Sequence, residues 1–262
     1  MAINPDPAAS EPIDPNPIVI LVEPQLGENI GMCARAMLNC GLETLRLVDP
    51  RDGWPSEPAR RAAADADLVV ERAEVFESVS AAVADCHRVL ATSARKRSLP
   101  LPVWNADDAA SRMRIAVGEG ERVAVLFGPE ASGLDNEAMA RADAVIRFST
   151  NPAFSSLNLA QCVLLFGWEW RRANLGARTG QREASPPKPA VETDIAARAG
   201  LETFVERLGT ELDARGFFLT PEQKPNALRT LRSLFSRSRP TEREINFLHG
   251  MLTALTKRDP EV

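Results

Sequence analysis

The sequence predicts an α/β fold, a parallel sheet covered by helices on both faces, followed by a small all-helical extension at the C-terminus. Three observations carry that expectation. Short β-rich runs alternate with helical runs through residues 17–172, and strands separated by helices form parallel sheets covered on both sides. A stretch holding Gly176, Gly180, Pro186, Pro187 and Pro189 then interrupts the pattern across 173–192, which reads as a linker. Beyond it, every periodic segment is helical.

Taken in order, residues 1–16 form an expected disordered leader. The first seventeen residues contain five prolines and no basic residue, unlike a secretory signal, which needs a positive start and an apolar run. Residues 17–24, PIVILVEP, are β-rich and bounded by prolines, as a buried strand would be. Residues 29–39 switch to helical spacing, with Ile30, Ala34, Met37 and Leu38 on one face and Gly41 as the stop. A strand at 44–48 follows, then Ala-rich helical runs near 57–66 and 74–85. Further strands are expected near 87–92, 122–127 and 143–148, and helices near 106–117, 135–141 and 156–172. The extension, 193–262, reads as helices at 193–215, 224–236 and 241–257. Thr241 to Glu244 has the capping-box spacing.

Composition narrows the function classes. No apolar run approaches the ~20 residues that span a bilayer, so a cytoplasmic protein is expected. Cys33, Cys40, Cys86 and Cys162 show no CxxC pairing, and His87 and His249 are the only histidines. That argues against a zinc site. A net charge of −5 suits a nucleic-acid binder poorly until it is resolved along the chain. Residues 1–30 carry five acids and no base, whereas 224–243 carry six bases and one acid. Local charge is what a polyanion meets, because charges beyond ~8–10 Å are screened.

In a parallel α/β sheet, functional side chains sit in loops after the strand carboxyl ends. Three segments take such places: 25–35, 127–134 and 149–161. The dinucleotide, P-loop, zinc-protease and nucleophile-elbow motifs are all absent. Arg35 lies about 140° around the helix from Ile30, off the apolar stripe. It is either a solvated surface arginine or a permanent cation for a phosphate or developing oxyanion. FGPEASGL, residues 127–134, closes an apolar strand with glycines around Glu130. Glycine lets backbone approach a ligand closely, while Glu130 could equally be a helix N-terminal acid. Ser155 and Ser156 are acceptable helix N-caps, which leaves Asn158 without a structural role.

Together these segments resemble the three signature motifs of the TrmH branch of the SPOUT superfamily. Asn29-Ile30-Gly31 with Ala34-Arg35-Ala36 resembles the first, FGPEASGL the second, and Ser155-Ser156-Leu157-Asn158-Leu159-Ala160 the third. Thr92-Ser93-Ala94-Arg95, Ser98-Leu99-Pro100, Asn226-Ala227-Leu228-Arg229 and Glu244 to Gly250 are similar to the TrmJ group within that branch. The resemblance implies a C-terminal trefoil knot, a rare exception to the rule that chains do not knot, and a homodimer. It implies S-adenosylmethionine as cofactor and tRNA as partner, with 2′-O-methylation of the pyrimidine at position 32 of the anticodon loop. Another tRNA or rRNA position and a catalytically silent RNA-binding dimer are the alternatives. Carried over by residue, Arg35, Glu130 and Asn158 become catalytic residues. Ala91, Thr92, Ser93, Gly128, Phe148, Ser156 and Leu157 become cofactor contacts, and no metal is implied. The basic tail gives RNA contacts at Lys224, Arg229, Arg232, Arg237 and Arg239. The chain departs from the branch at Phe148-Ser149, where Ile-Pro is common, and so lacks that proline's rigidity.

Overall fold

The computed structural model describes residues 16–94, 101–151, 153–178, 195–220 and 222–256. Seven strands form one sheet: β1 (Ile18–Val22), β2 (Leu45–Val48), β3 (Glu74–Phe76), β4 (Arg88–Thr92), β5 (Val103–Asn105), β6 (Val123–Phe127) and β7 (Ala144–Arg147). Their order is β3-β2-β1-β6-β4-β7-β5, and every neighbouring pair is parallel. Both β1 and β6 are buried along their whole length, because successive side chains feed opposite cores.

Val19 and Leu21 of β1 join Val123, Val125 and Phe127 of β6 in the larger core. That core also receives the buried faces of α1 (Gly27–Asn39), α5 (Ala106–Gly118) and α7 (Leu159–Arg178). Ile18 and Ile20 pack instead with Ala124 and Leu126 on the other face, under α4 (Val79–Ala82) and α6 (Asn136–Ala140). Between α1 and α2 (Glu57–Ala63) the approach is too close for a side chain. A Cβ on Gly31 would strike the Ala59 carbonyl oxygen, so only glycine fits there.

The extension consists of α8 (Arg198–Ala214), α9 (Gln223–Ser238) and α10 (Glu242–Thr256) around its own core of Leu201, Phe204, Val205, Ile245 and Leu252. The expected capping box closes reciprocally: Thr241 Oγ1 accepts from the Glu244 amide at 3.2 Å, and Glu244 Oε2 accepts from the Thr241 amide at 2.8 Å.

Several expectations needed correction. The helix expected at 74–85 is β3 followed by the one-turn α4. Ala-rich composition hid an edge strand of three residues, and strand pairing with β2 overrode local propensity. A short α3 (Asp67–Glu71) and β5 were not foreseen. On α1, Ile30, Ala34 and Met37 are buried, but Leu38 is exposed. Helix α7 runs to Arg178, through the first residues of the expected linker; 179–192 lie outside the described residues. So does all of the expected leader except Asn16, which accepts from Trp170 Nε1 at 3.2 Å.

Candidate active site

The carboxyl ends of β4, β6 and β7 open into one cleft of about 340 Å³. Pairing sets its floor: Ser93 N donates to the Ile146 carbonyl at 3.1 Å, and Thr92 Oγ1 donates to the Leu126 carbonyl at 3.1 Å. One wall is the loop after β6. There the chain folds back so tightly that a Cβ on Gly128 would collide with the amide nitrogen of Leu134. Gly133 completes the turn at φ +67, a left-handed conformation that favours glycine. The opposite wall is Ser155, Ser156 and Leu157, entering α7.

Asn158, not a serine, caps α7. Its Oδ1 accepts from the Ala160 amide at 2.9 Å, a helix N-cap bond. Both serines are thereby left free to line the cleft. The same asparagine donates through Nδ2 to Asn29 Oδ1 at 3.3 Å. Asn29 donates in turn to Glu130 Oε1 at 2.6 Å, while Glu130 Oε2 accepts from the Gln25 amide at 3.1 Å. Glu130, Asn29 and Asn158 therefore tie together the three loops singled out in the sequence. Both oxygens of Glu130 are engaged in holding the entry to α1. Asn29, 6% exposed, was quoted in a motif but given no role; a polar residue on a buried helix face was the signal.

The expected site residues fall into three groups. Thr92, Ser93, Gly128, Phe148, Ser156 and Leu157 all line the cleft, together with Pro129, Ser155 and Cys162, which were not foreseen. Burial pushes the Cys162 thiol up to about 11, so it presents a neutral wall. Ala91 does not line the cleft: its side chain is fully buried in the core beneath α6, on the other side of the strand. Arg35 is exposed on α1 and does not line the cleft. It lies eight residues beyond the helix start, roughly 12 Å along the axis, farther from the strand ends than expected.

The tail cations form the third group, and most are already paired. Arg232, buried, donates from Nε to Glu202 at 2.9 Å and lies 3.7 Å from Glu137. Arg229 reaches Glu137 at 2.9 Å, and Arg239 pairs with the buried Glu121, which also holds Arg88 at 2.9 Å. Lys224 pairs with Asp213 at 2.6 Å on the surface, and Arg237 is exposed, its Nε on the Ser233 carbonyl at 3.2 Å. Arg198, 4% exposed, seals the seam: it donates to Asp143 at 2.5 Å and to Ser236, and its amide donates to the Cys86 carbonyl at 3.0 Å. Asp143, Glu121 and Cys86 all lie at the amino ends of strands. The extension thus docks at the end of the sheet opposite the cleft.

Comparison with known proteins agrees with this architecture. The model of the SpoU rRNA methylase family matches residues 16–168. The chain belongs to that family. Its extension, over residues 199–261, matches the C-terminal domain of the tRNA methyltransferase TrmJ. The tRNA (cytidine/uridine-2′-O-)-methyltransferase TrmJ of Klebsiella pneumoniae is 35% identical over 241 residues, covering 92% of this chain and 96% of that protein. The Pectobacterium atrosepticum TrmJ is 35% identical over 245 residues, at 93% and 98% coverage. The crystal structure of TrmJ from Z. mobilis ZM4 superposes with a TM-score of 0.82 at 42% identity, over 92% of this chain and all of that one. A probable methylase from Haemophilus influenzae superposes at 0.61 with 30% identity, over 93% and 97%.

Proposed function

We propose that this SpoU-family protein is an S-adenosylmethionine-dependent tRNA (cytidine/uridine-2′-O-)-methyltransferase, acting in the cytoplasm on the pyrimidine at position 32. The observation that carries the reading is the meeting of the loops after β6 and β7 at one cleft, braced from α1 by the Glu130–Asn29–Asn158 chain of hydrogen bonds. The cleft suits the cofactor. Its volume lies within the ~300–1,000 Å³ of small-molecule pockets. Phe148 and Leu157 offer apolar surface to an adenine, and the tight Gly128–Gly133 loop brings backbone polar groups close to the cleft. Such a fold-back beside strand ends fits the knotted topology expected of the chain. When bound, S-adenosylmethionine supplies an electrophilic methyl group.

What the residues must do is hold a ribose hydroxyl in line and ease the loss of its proton. Positioning is commonly the larger contribution. Thr92, Ser93, Gly128, Phe148, Ser156 and Leu157 hold the cofactor side. Arg35 stabilises the developing alkoxide and grips the adjacent phosphate. It does not line the cleft of its own chain, so the site is completed by a second copy. Arg35 shares one exposed face of α1 with Met32 and Leu38, and α7 exposes Leu164, Leu165 and Trp168 beside it. Apolar residues around an unpaired arginine fit a dimer interface. In the extension, Lys224 and Arg229 can exchange their acidic partners Asp213 and Glu137 for RNA phosphates, and Arg237 presents an exposed side chain to the same surface. Surface ion pairs are weak enough to exchange in this way.

The test is transfer of labelled methyl to unmodified tRNA, with mass-spectrometric mapping of the product. A 2′-O-methylpyrimidine at position 32 is the expected result. Methylation at another tRNA or rRNA position would keep the chemistry and reject the target, and no transfer to either RNA would leave a silent RNA-binding dimer.

A further inference from the structure

A second cavity, of about 360 Å³, opens beside the cleft and shares Phe148 with it. Arg147, the last residue of β7, lines it. Arg147 is partly buried, and its guanidinium has no hydrogen bond or ion pair with any described residue; its Nε is wholly shielded and unpartnered. A shielded polar atom without a partner loses its hydration for nothing, and no carboxylate among the described residues offsets the charge that carries it. This contrasts with Arg172 in the same cavity, which Glu169 already holds at 2.9 and 3.0 Å.

The backbone adds a second feature of the same sign. Asn105 stands in register with Arg147 on the adjacent strand and begins α5, yet its side chain makes no capping bond. The first-turn amides of this 13-residue helix therefore lack a side-chain acceptor beside the unpaired guanidinium. A helix N-terminus and an arginine facing one cavity favour an anion. Asp107 and Glu169 also line the cavity. Glu169 is neutralised by Arg172, and Asp107 occupies the first turn of α5, where the helix dipole offsets its charge.

We infer that this cavity seats a second phosphate of the RNA chain near the methylated ribose, distinct from the one gripped by Arg35, with Arg147 as its principal ligand. The inference rests on the methyltransferase reading, because the cavity's value lies in adjoining the cleft across Phe148. It would fix the register of the acceptor strand without reading its sequence, as phosphate contacts do. The neutralised tail arginines cannot supply that anchor near the reacting atoms.

The experiment measures tRNA binding by the full-length protein across a salt series, for wild type, Arg147→Gln and Arg147→Lys. Thermal melts verify that each variant is folded. Losing one single-strand phosphate contact lowers the slope of log K against log salt by about 0.7. Arg147→Gln should show that loss and a raised KM for tRNA, with S-adenosylmethionine affinity unchanged. Arg147→Lys should restore the slope; it also tests the idea if the glutamine variant fails to fold, because an unchanged slope with weaker binding isolates the lost guanidinium fork. A folded Arg147→Gln protein with the wild-type slope overturns the proposal. Titration with inorganic phosphate separates the sources: phosphate binding that needs Arg147 while the tRNA slope does not would make this a free-anion site and overturn the RNA assignment. Failure of wild-type methyl transfer would strike the functional reading alone, since the salt slope is read from binding.

Discussion

Arg35 and Arg232 look alike in sequence, each an arginine within an amphipathic helix, yet their surroundings are opposite. Neither Arg35, exposed on α1, nor Arg147, beside the cleft, has an ion pair with any described residue. At the seam, Arg198 and Arg239 are bound to Asp143 and Glu121, and Arg232 lies between Glu202 of the extension and Glu137 of α6. A basic tail that reads as an RNA surface is in good part a fastening. Net charge along the chain could not reveal this, because the matching carboxylates come from residues up to 118 positions away. What distinguishes the two groups is whether the protein has already spent the charge. A cation with a buried carboxylate partner stabilises the fold, and one without is available to a ligand.

The strongest challenge to that contrast is Arg35→Ala. Removing a group that stabilises a developing oxyanion costs about 10²- to 10³-fold in turnover, while cofactor affinity should stay within about twofold because Arg35 lies outside the cleft. Single-turnover methyl transfer and S-adenosylmethionine titration would measure both, and near-normal turnover would remove Arg35 from the mechanism. Mixing this variant with one lacking a residue that braces the cleft, such as Asn158→Ala, sharpens the point. A composite site predicts that mixed dimers regain activity in one of their two clefts.

Next in size is Glu130→Gln. One amide nitrogen then faces a donor, either Asn29 Nδ2 or the Gln25 amide, so a hydrogen bond is lost and a shielded group left unpaired. Such losses cost about 1–3 kcal/mol of stability. Displacement of α1 should also lower turnover, by up to ~10²-fold if the shift approaches 1 Å. Retained kcat with reduced melting temperature would confine Glu130 to the fold.

At the seam the expectation reverses. Arg232→Ala leaves the largely buried Glu202 unpaired and should destabilise the protein by about 3 kcal/mol, with little change in the salt slope of tRNA binding. Lys224→Ala should do the opposite, changing stability by no more than about 0.5 kcal/mol while weakening RNA binding and flattening the slope. If both variants alter the slope equally, the division into spent and available charge fails.

How much of this was readable beforehand follows from which interactions are local. The central strands, α1, α5 and the extension's helices were legible because hydrophobic period and turn residues are written in contiguous residues. β3 and β5 were not, since each is three residues long at or near a sheet edge and exists through pairing with a neighbour. Most cleft residues were legible through motif resemblance. The role of Asn29 was not, because it depends on Glu130 and Asn158, each more than 100 positions distant. Arg147 carried no sequence signal, as an unpaired state is a property of three-dimensional surroundings.

A pH-dependent effect concerns the seam's own edge. Arg46 is 4% exposed and donates to both oxygens of Asp85, at 2.6 and 2.9 Å, next to the Cys86 carbonyl that receives Arg198. The hydrogen bonds from Arg46, helped by its charge and that of Arg122, hold the Asp85 carboxyl down to about 2 against an ordinary 3.8. A depressed carboxylate pKa contributes stability above the unfolded value, near pH 3.8, and loses it as pH falls through about 2. Asp85 is 43% exposed at its side chain, so solvent screening limits the contribution to about 1 kcal/mol. Urea unfolding of Asp85→Asn should therefore show a deficit of that size at pH 7 that shrinks between pH 4 and pH 2. A deficit constant across the range would mean that Asp85 acts through hydrogen-bond geometry alone, and that charge is not what secures this end of the sheet.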